Sequence, residues 1–252
     1  MELQAKKPFV VTIAGYDPCG GAGILADIKT FEQCNVYGLS VITCDTIQSE
    51  NKFKALRWRT TANIITQLKF LLKEYPIKAA KIGLIKDIDM LTAIVKTLKI
   101  YQIKIILDPI LVTSTSKIIF QVGKNFSLQK YLSDIFLITP NYDEALLLTK
   151  VNSLNEAGKI ISKYTNVVIK GGHNSTKQGT DVLFEIGHSL QTEIKPFHKN
   201  IYTKHGSGCV FSAALTASIA MQTPILESVK FAKRYTEKFL KSNKTLLGYH
   251  AY

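Results

Sequence analysis

Long apolar runs are missing from this chain of 252 residues. None reaches the ~18 residues that a membrane-spanning helix needs, so no membrane partner is expected. Cysteine is scarce. The four thiols, Cys19, Cys34, Cys44 and Cys209, form no C-x-x-C pair and no Cys/His metal spacing. A disulfide scaffold is excluded, a zinc site is not expected, and reduced thiols of a cytosolic enzyme fit better. Acidic residues are also few: 19 against 32 Lys and Arg, for a formal charge of +13. Such a balance attracts nucleic acid, an acidic membrane surface or small phosphorylated ligands. The lysines, however, are scattered over most predicted helices. With no basic arm and no aromatic-basic alternation, nucleic acid is not an expected partner. Internal repeats, low-complexity tracts and linkers are absent too, so residues 1–252 are expected to form a single domain. The polar segment Met1 to Lys7 and the short run Phe9 to Ala14 do not make a signal peptide, and the cytoplasm is the expected location.

What the chain has is a composition suited to a globular core, 46% hydrophobic and 20% charged. Short apolar runs alternate with helical periodicity through most of its length. Strands are predicted at Phe9–Ala14, Val36–Thr43, Ala79–Ile85, Lys104–Leu107, Ile135–Ile138 and Val167–Lys170. Helices are predicted at Thr61–Glu74, Asp87–Tyr101 with Asp87 as N-cap, Leu154–Tyr164 and Ile225–Lys241. Asp181–Ile186 and Leu190–Pro196 read as a hairpin. Alternation of this kind predicts right-handed βαβ units, a mainly parallel sheet and helices on both faces, an α/β fold.

Two glycine-rich segments interrupt the pattern. Gly15 to Gly23 joins the first strand to a helix, but its G-G-x-G spacing is neither a dinucleotide fingerprint nor a Walker A loop. Lys204-His205-Gly206-Ser207-Gly208-Cys209 opens an Ala-rich apolar helix. A glycine turn at a helix start presents unpaired N–H groups, and the helix dipole adds to their attraction for an anion. Cys209 falls in the first turn, where that field is expected to lower a thiol pKa. The plain alternative is a helix start with a packed cysteine.

Ligands of open α/β sheets lie at the carboxyl ends of the strands, and polar residues gather there. Gly15 and Asp17 follow the first strand, and Gln48 follows the second in a polar loop, Thr46–Asn51. Asp108, Asn141 and Lys170 end three more. Each has a structural alternative: a turn at Asp108, a helix cap at Asn141 and Glu144, a surface charge at Lys170, pairing of Asp27 with Lys29 or Lys78. Together they suit phosphoryl transfer, where catalysis is positioning and electrostatics. Gly206 to Gly208 supply N–H donors and Lys170 a cation. Asp108 and Glu144 organise Mg²⁺ through its water shell, and Cys209 sits beside the acceptor alcohol.

At these residues the sequence resembles the hydroxymethylpyrimidine/phosphomethylpyrimidine kinases of the ribokinase-like superfamily. The long match is Thr12-Ile13-Ala14-Gly15-x-Asp17-Pro18-x-Gly20-Gly21-Ala22-Gly23-Ile24-x-Ala26-Asp27-x-Lys29-Thr30. Lys81-Ile82-Gly83, Leu107-Asp108-Pro109, Thr139-Pro140-Asn141, Lys170-Gly171-Gly172-His173 and His205-Gly206-Ser207-Gly208-Cys209 continue it in order. The resemblance implies a ribokinase-like three-layer α/β/α fold and an ATP- and Mg²⁺-dependent kinase. Its substrate would be 4-amino-5-hydroxymethyl-2-methylpyrimidine and then the monophosphate. It implies pyrimidine contacts at Gly15, Asp27, Gln48, Leu84 and Ile110. It further implies ATP and Mg²⁺ contacts at Asp108, Asn141, Glu144 and Lys170, and a homodimer. Cys209 stands where many relatives in the superfamily carry an Asp base. Departures are Tyr16, Thr46-Ile47-Gln48-Ser49-Glu50, Lys204 before the His-Gly pair, and a short C-terminus, Leu247–Tyr252, without a Gly-His-Gly ending. The last bears on closure over the nucleotide. The nearest rival reading is a pyridoxal or pyridoxine kinase. A non-catalytic pyrimidine-binding regulator on the same fold is a further one.

Overall fold

The computed structural model describes residues 7–111, 127–172, 179–188 and 190–251. His173, the last residue of one motif above, lies outside them. Among the described residues there are nine strands and eight helices. The first half runs β1 (Phe9–Tyr16), α1 (Gly23–Gln33), β2 (Tyr37–Gln48), β3 (Phe53–Trp58), α2 (Thr61–Glu74), β4 (Ile77–Ile82), α3 (Ile88–Ile100) and β5 (Lys104–Leu107). The second half runs α4 (Leu128–Leu132), β6 (Leu137–Ile138), α5 (Tyr142–Thr149), α6 (Leu154–Ile161), β7 (Asn166–Ile169), β8 (Asp181–Phe184), β9 (Gln191–Ile194), α7 (Ser207–Ala220) and α8 (Ile225–Lys241).

All nine strands form one sheet in the order β3-β2-β1-β4-β5-β6-β7-β8-β9. The six from β2 to β7 are parallel, and β3, β8 and β9 are antiparallel additions at the two edges. Parallel strands covered on both faces need apolar side chains in every position. Val11, Ala80, Leu107, Ile138 and Ile169 pack against the layer containing α2, α3, α5 and α6. Val10, Ala79, Ile106, Leu137 and Val168 pack against α1, α7 and α8. Three layers, helix on sheet on helix, are the result. The predicted fold class holds, and its parallel centre follows the strand-helix alternation.

Three elements differ from the sequence expectation: the short helix α4, where none was predicted, and the strands β2 and β3. Gln48 does not sit in a loop: β2 runs on through Gln48 and pairs with β3, an antiparallel strand that went unpredicted. The half-buried, alternating Phe53–Trp58 carries a weak apolar signal, as an edge strand does. Caps fall where the side chains allow. Thr60 and Asp87 accept from Asn63 and Met90 N–H groups at the starts of α2 and α3, contacts worth about 1 kcal/mol each. No helix among the described residues is long and apolar enough to cross a membrane.

Candidate active site

Side chains two residues apart on a strand share a face. Two positions beyond Val10, Ala79, Ile106 and Val168 come Thr12, Lys81, Asp108 and Lys170. On the α1/α7/α8 side, the apolar rows therefore end in a polar row at the carboxyl edge of the sheet. Burial forces these groups to pair. Lys81 Nζ lies 2.5 Å from Asp27 Oδ1, with both side chains fully enclosed, and Thr12 Oγ1 donates to Asp27 Oδ2 at 2.6 Å. Lys170 Nζ donates to Asp108 Oδ1 at 2.9 Å. The hydroxyls of Thr139 and Ser212 also donate to the Asp108 carboxylate, each at 3.2 Å. Burial opposes the charge on Asp108, but Lys170 and Lys81 outweigh it and hold the carboxyl below its ordinary range. Burial likewise opposes the charge on Lys81 and Lys170; the facing carboxylates win and raise both.

The N-terminus of α7 stands over this row. Gly206 is its N-cap at φ +77° and offers no side chain to the first-turn N–H groups. A Cβ there would lie 1.9 Å from Gly21 O, so only glycine lets the β1–α1 loop and the α7 turn touch backbone to backbone. The next three residues divide two cavities. Ser207 and Gly208 line a large open one of about 1110 Å³, together with Asn141 and Lys170. Cys209 lines a small one of about 70 Å³, together with Gly15, Gln48, Leu84 and Ile110.

Most of the candidate residues are thus brought together, on two sides of one helical turn. Asp27, Asp108 and Glu144 line neither cavity; the Asp27 carboxylate is fully enclosed, and its partner is Lys81, not Lys29 or Lys78. Lys29 instead donates to Gly20 O. Asn141 and Glu144 do form the helix cap, a reciprocal capping box in which Asn141 Oδ1 accepts from Glu144 N and Glu144 Oε2 from Asn141 N, each at 2.8 Å. Burial, with Asp108 adding to it and Lys170 opposing, pushes the Glu144 carboxyl up to about 7. For Cys209 the expected direction reverses. Burial pushes the thiol up, and the Lys81 charge and the Gly23 N–H only partly oppose it. The helix start does not compensate for a fully enclosed sulfur.

Sequence reasoning missed the partners. β4 carries two lysines among apolar residues; Lys78 is exposed, and the enclosed Lys81 requires a buried carboxylate to face it. His205 Nε2 meets Asp17 Oδ2 at 2.9 Å across 188 positions, and nothing local announces that pair. Lys204 is buried and donates to Asn243 O, Asn243 Oδ1 and Thr245 O. It ties the C-terminal segment beside the α7 turn. That segment then packs Leu247 over Gly21 and does not line the large cavity.

A three-layer sheet with an uncapped glycine turn, a lysine and buried carboxylates at its carboxyl edge suits phosphoryl transfer, and the similar proteins of this fold place the chain among the ribokinase-like phosphotransferases. The comparisons with known proteins narrow it. Residues 17–251 match the phosphomethylpyrimidine kinase family, and the chain belongs to that family. It is 31% identical over 245 residues to the hydroxymethylpyrimidine/phosphomethylpyrimidine kinase of Aquifex aeolicus, covering 94% of this chain and 95% of that one. The phosphomethylpyrimidine kinase structure from Clostridium difficile superposes with a TM-score of 0.77 at 29% identity, over 91% of this chain and 98% of that one. The Staphylococcus aureus pyridoxal kinase in complex with AMP-PCP and pyridoxal gives 0.79 at 25% identity, over 96% and 92%.

Proposed function

We propose that this kinase transfers the γ-phosphoryl group of ATP to 4-amino-5-hydroxymethyl-2-methylpyrimidine and then to the monophosphate, yielding the diphosphate used in thiamine biosynthesis. The observation that carries the reading is the division at α7, where Ser207 and Gly208 face one cavity and the adjacent Cys209 faces the other. A nucleotide in the large cavity and an alcohol in the small one would meet at that turn, where phosphoryl transfer needs the two in line.

The first-turn N–H groups of α7 and the Lys170 ammonium hold the terminal phosphates. Gln48 offers an amide to the ring edge of the pyrimidine, and Leu84 and Ile110 give it apolar walls. Asp27 acts at one remove by fixing Lys81 beneath Cys209. The Cys209 thiol is protonated at neutral pH in the free enzyme and orients the alcohol; a loose transition state asks little of a base. At about 70 Å³ the small cavity is well under the several hundred Å³ of most small-ligand sites, so its walls must part to admit the ring.

The carboxylates suit a hard cation. Glu144 and Asp108 are buried oxygen donors near enough for their charges to interact, and burial, with Asp108 adding to it, pushes the Glu144 carboxyl up to about 7. They would hold Mg²⁺, with water between, since Asp108 already accepts three protein donors. When bound, the cation supplies charge neutralisation at the phosphates.

Incubating the enzyme with the pyrimidine alcohol, ATP and Mg²⁺ tests this directly. Mono- and then diphosphate are expected; phosphorylation of pyridoxal alone would transfer the assignment to the pyridine kinases, and ligand binding without turnover would make the chain a sensor. A cytoplasmic homodimer belongs to the same reading, and light scattering in solution checks the dimer.

A further inference from the structure

The fold assembles a ligand set that the linear spacing of Cys and His does not contain. Asp17 and Cys19 lie in the loop after β1, and His205 precedes the α7 turn. Cys19 Sγ is 3.0 and 3.2 Å from the two Asp17 carboxylate oxygens, and His205 Nε2 is 2.9 Å from Oδ2. One donor atom from each of the three lies within 4.8 Å of the others. Asp17 is buried at 2% exposure, while Cys19 and His205 are partly open to solvent. The loop is held in shape from behind, with the Cys19 and Ala22 N–H groups donating to the same carboxylate. His205 is fixed through its own N–H to Leu246 O.

Nitrogen, sulfur and carboxylate oxygen are the donors of zinc, with bonds of about 2.0–2.3 Å. A tetrahedron with those bonds spaces its donors by about 3.3–3.6 Å, a few tenths of an ångström wider than the two Asp17 contacts here, while the sulfur and the imidazole nitrogen lie within 4.8 Å of each other. Three protein ligands with solvent access leave a fourth position for water. We propose that Asp17, Cys19 and His205 form a binding site for a zinc-like divalent cation, separate from the carboxylate pair at Asp108 and Glu144. On binding, the cysteine thiol releases its proton to solvent and its sulfur joins the metal, while His205 gives up the Nε2 proton it shares with Asp17, becomes the Nδ1–H tautomer and ligates through Nε2. Asp17 also lines the small cavity, so the ion clamps the β1–α1 loop to the α7 turn at the rim of that cavity.

Cobalt reports the site without any substrate or nucleotide, so this test fails independently of the kinase reading. Metal-stripped protein titrated with Co²⁺ is expected to take up one equivalent with a thiolate-to-cobalt charge-transfer band. Zn²⁺ displaces it, and excess Mg²⁺, which avoids sulfur, does not. Cys19→Ser is expected to abolish the band and weaken Zn²⁺ binding at least tenfold, His205→Ala to weaken it similarly, and Cys209→Ser to leave the band in place. Zn²⁺ should raise the Tm of the wild type and not of Cys19→Ser, a readout that works even if one variant folds poorly. Absence of the band, its survival in Cys19→Ser, its loss in Cys209→Ser, or displacement by Mg²⁺ would each overturn the site.

Discussion

Two lysine–carboxylate pairs flank the first turn of α7, and they differ in depth. Asp27–Lys81 has no solvent access on either side chain, whereas the Lys170 side chain keeps 17% of its surface open beside Asp108. Both arise in the same way, where the apolar rows of a parallel sheet stop and the next inward position is polar. The enclosed pair has no surface from which to meet a ligand. It braces α1 against β4 under the small cavity. The open pair has a free face on the large cavity and positive charge to offer an anion. Depth thus separates the two pairs, though their chemistry is the same, and on the proposed reading only the second meets a ligand.

Removing one member of each pair gives the largest expected effects, and of opposite kinds. Lys81→Met leaves an enclosed carboxylate without its cation, a loss of about 3–5 kcal/mol. Urea unfolding should show it as a lower midpoint. A stable Lys81→Met with lost pyrimidine binding would mean the pair reaches the ligand after all. Lys170→Met should lower kcat/KM about 10²–10³-fold, the scale of losing one preorganised electrostatic contact. Its effect on unfolding should be smaller than that of Lys81→Met, because Lys170 is itself partly open to solvent and the Thr139 and Ser212 hydroxyls still donate to the Asp108 carboxylate it leaves behind. Equal stability losses in the two variants would erase the distinction between them.

The next effect belongs to the sulfur between the two sides. Cys209→Ala should keep ATP binding and lose most turnover, about 10²-fold or more if the thiol takes the proton. The pH dependence separates base from positioner. Burial raises the thiol above its ordinary value of 9.0, so the fraction of thiolate grows only on the alkaline side. If the thiolate is the base, kcat of the wild type climbs with pH there and the residual rate of Cys209→Ala stays flat. If the sulfur only orients the alcohol, the two profiles run parallel. The folding linkage has its own sign. An acid whose folded pKa is raised gives stability that is complete below its unfolded pKa and is lost as pH rises through the folded one. The Cys209 contribution therefore fades only above the ordinary thiol range.

Much of this was legible from residue order, because the parallel sheet translates sequence into space by a simple rule. Each strand delivers the residue after its last apolar position to one edge, and so Gly15, Asp108, Asn141 and Lys170 could be gathered without coordinates. Two kinds of information were not in the order. One was depth: Asp27 and Lys170 each sit beside an apolar element, and only packing decides that the first is sealed. The same blindness gave the wrong direction for Cys209, where enclosure overrides the field of the helix start. The other was pairing across long separations. Asp17 with His205, and Lys204 with Asn243 and Thr245, depend on how α7 and the tail dock on the β1–α1 loop. No periodicity encodes that docking.

The smallest effect tests the division itself. Gln48 lies at the end of β2, on the Cys209 side of the turn, and lines only the small cavity among the two. Gln48→Ala removes one amide from a half-buried position, so about 1–1.5 kcal/mol of binding is at stake, roughly tenfold. That loss should fall on the KM for the pyrimidine and leave the KM for ATP unchanged. The contrast with Lys170→Met is sharp because each residue borders one cavity. If Gln48→Ala raised the KM for ATP instead, the turn at Ser207–Cys209 would not be a partition between two ligands. A single ligand would then span both cavities, and the depth of the two ion pairs would have to be explained by that ligand's shape.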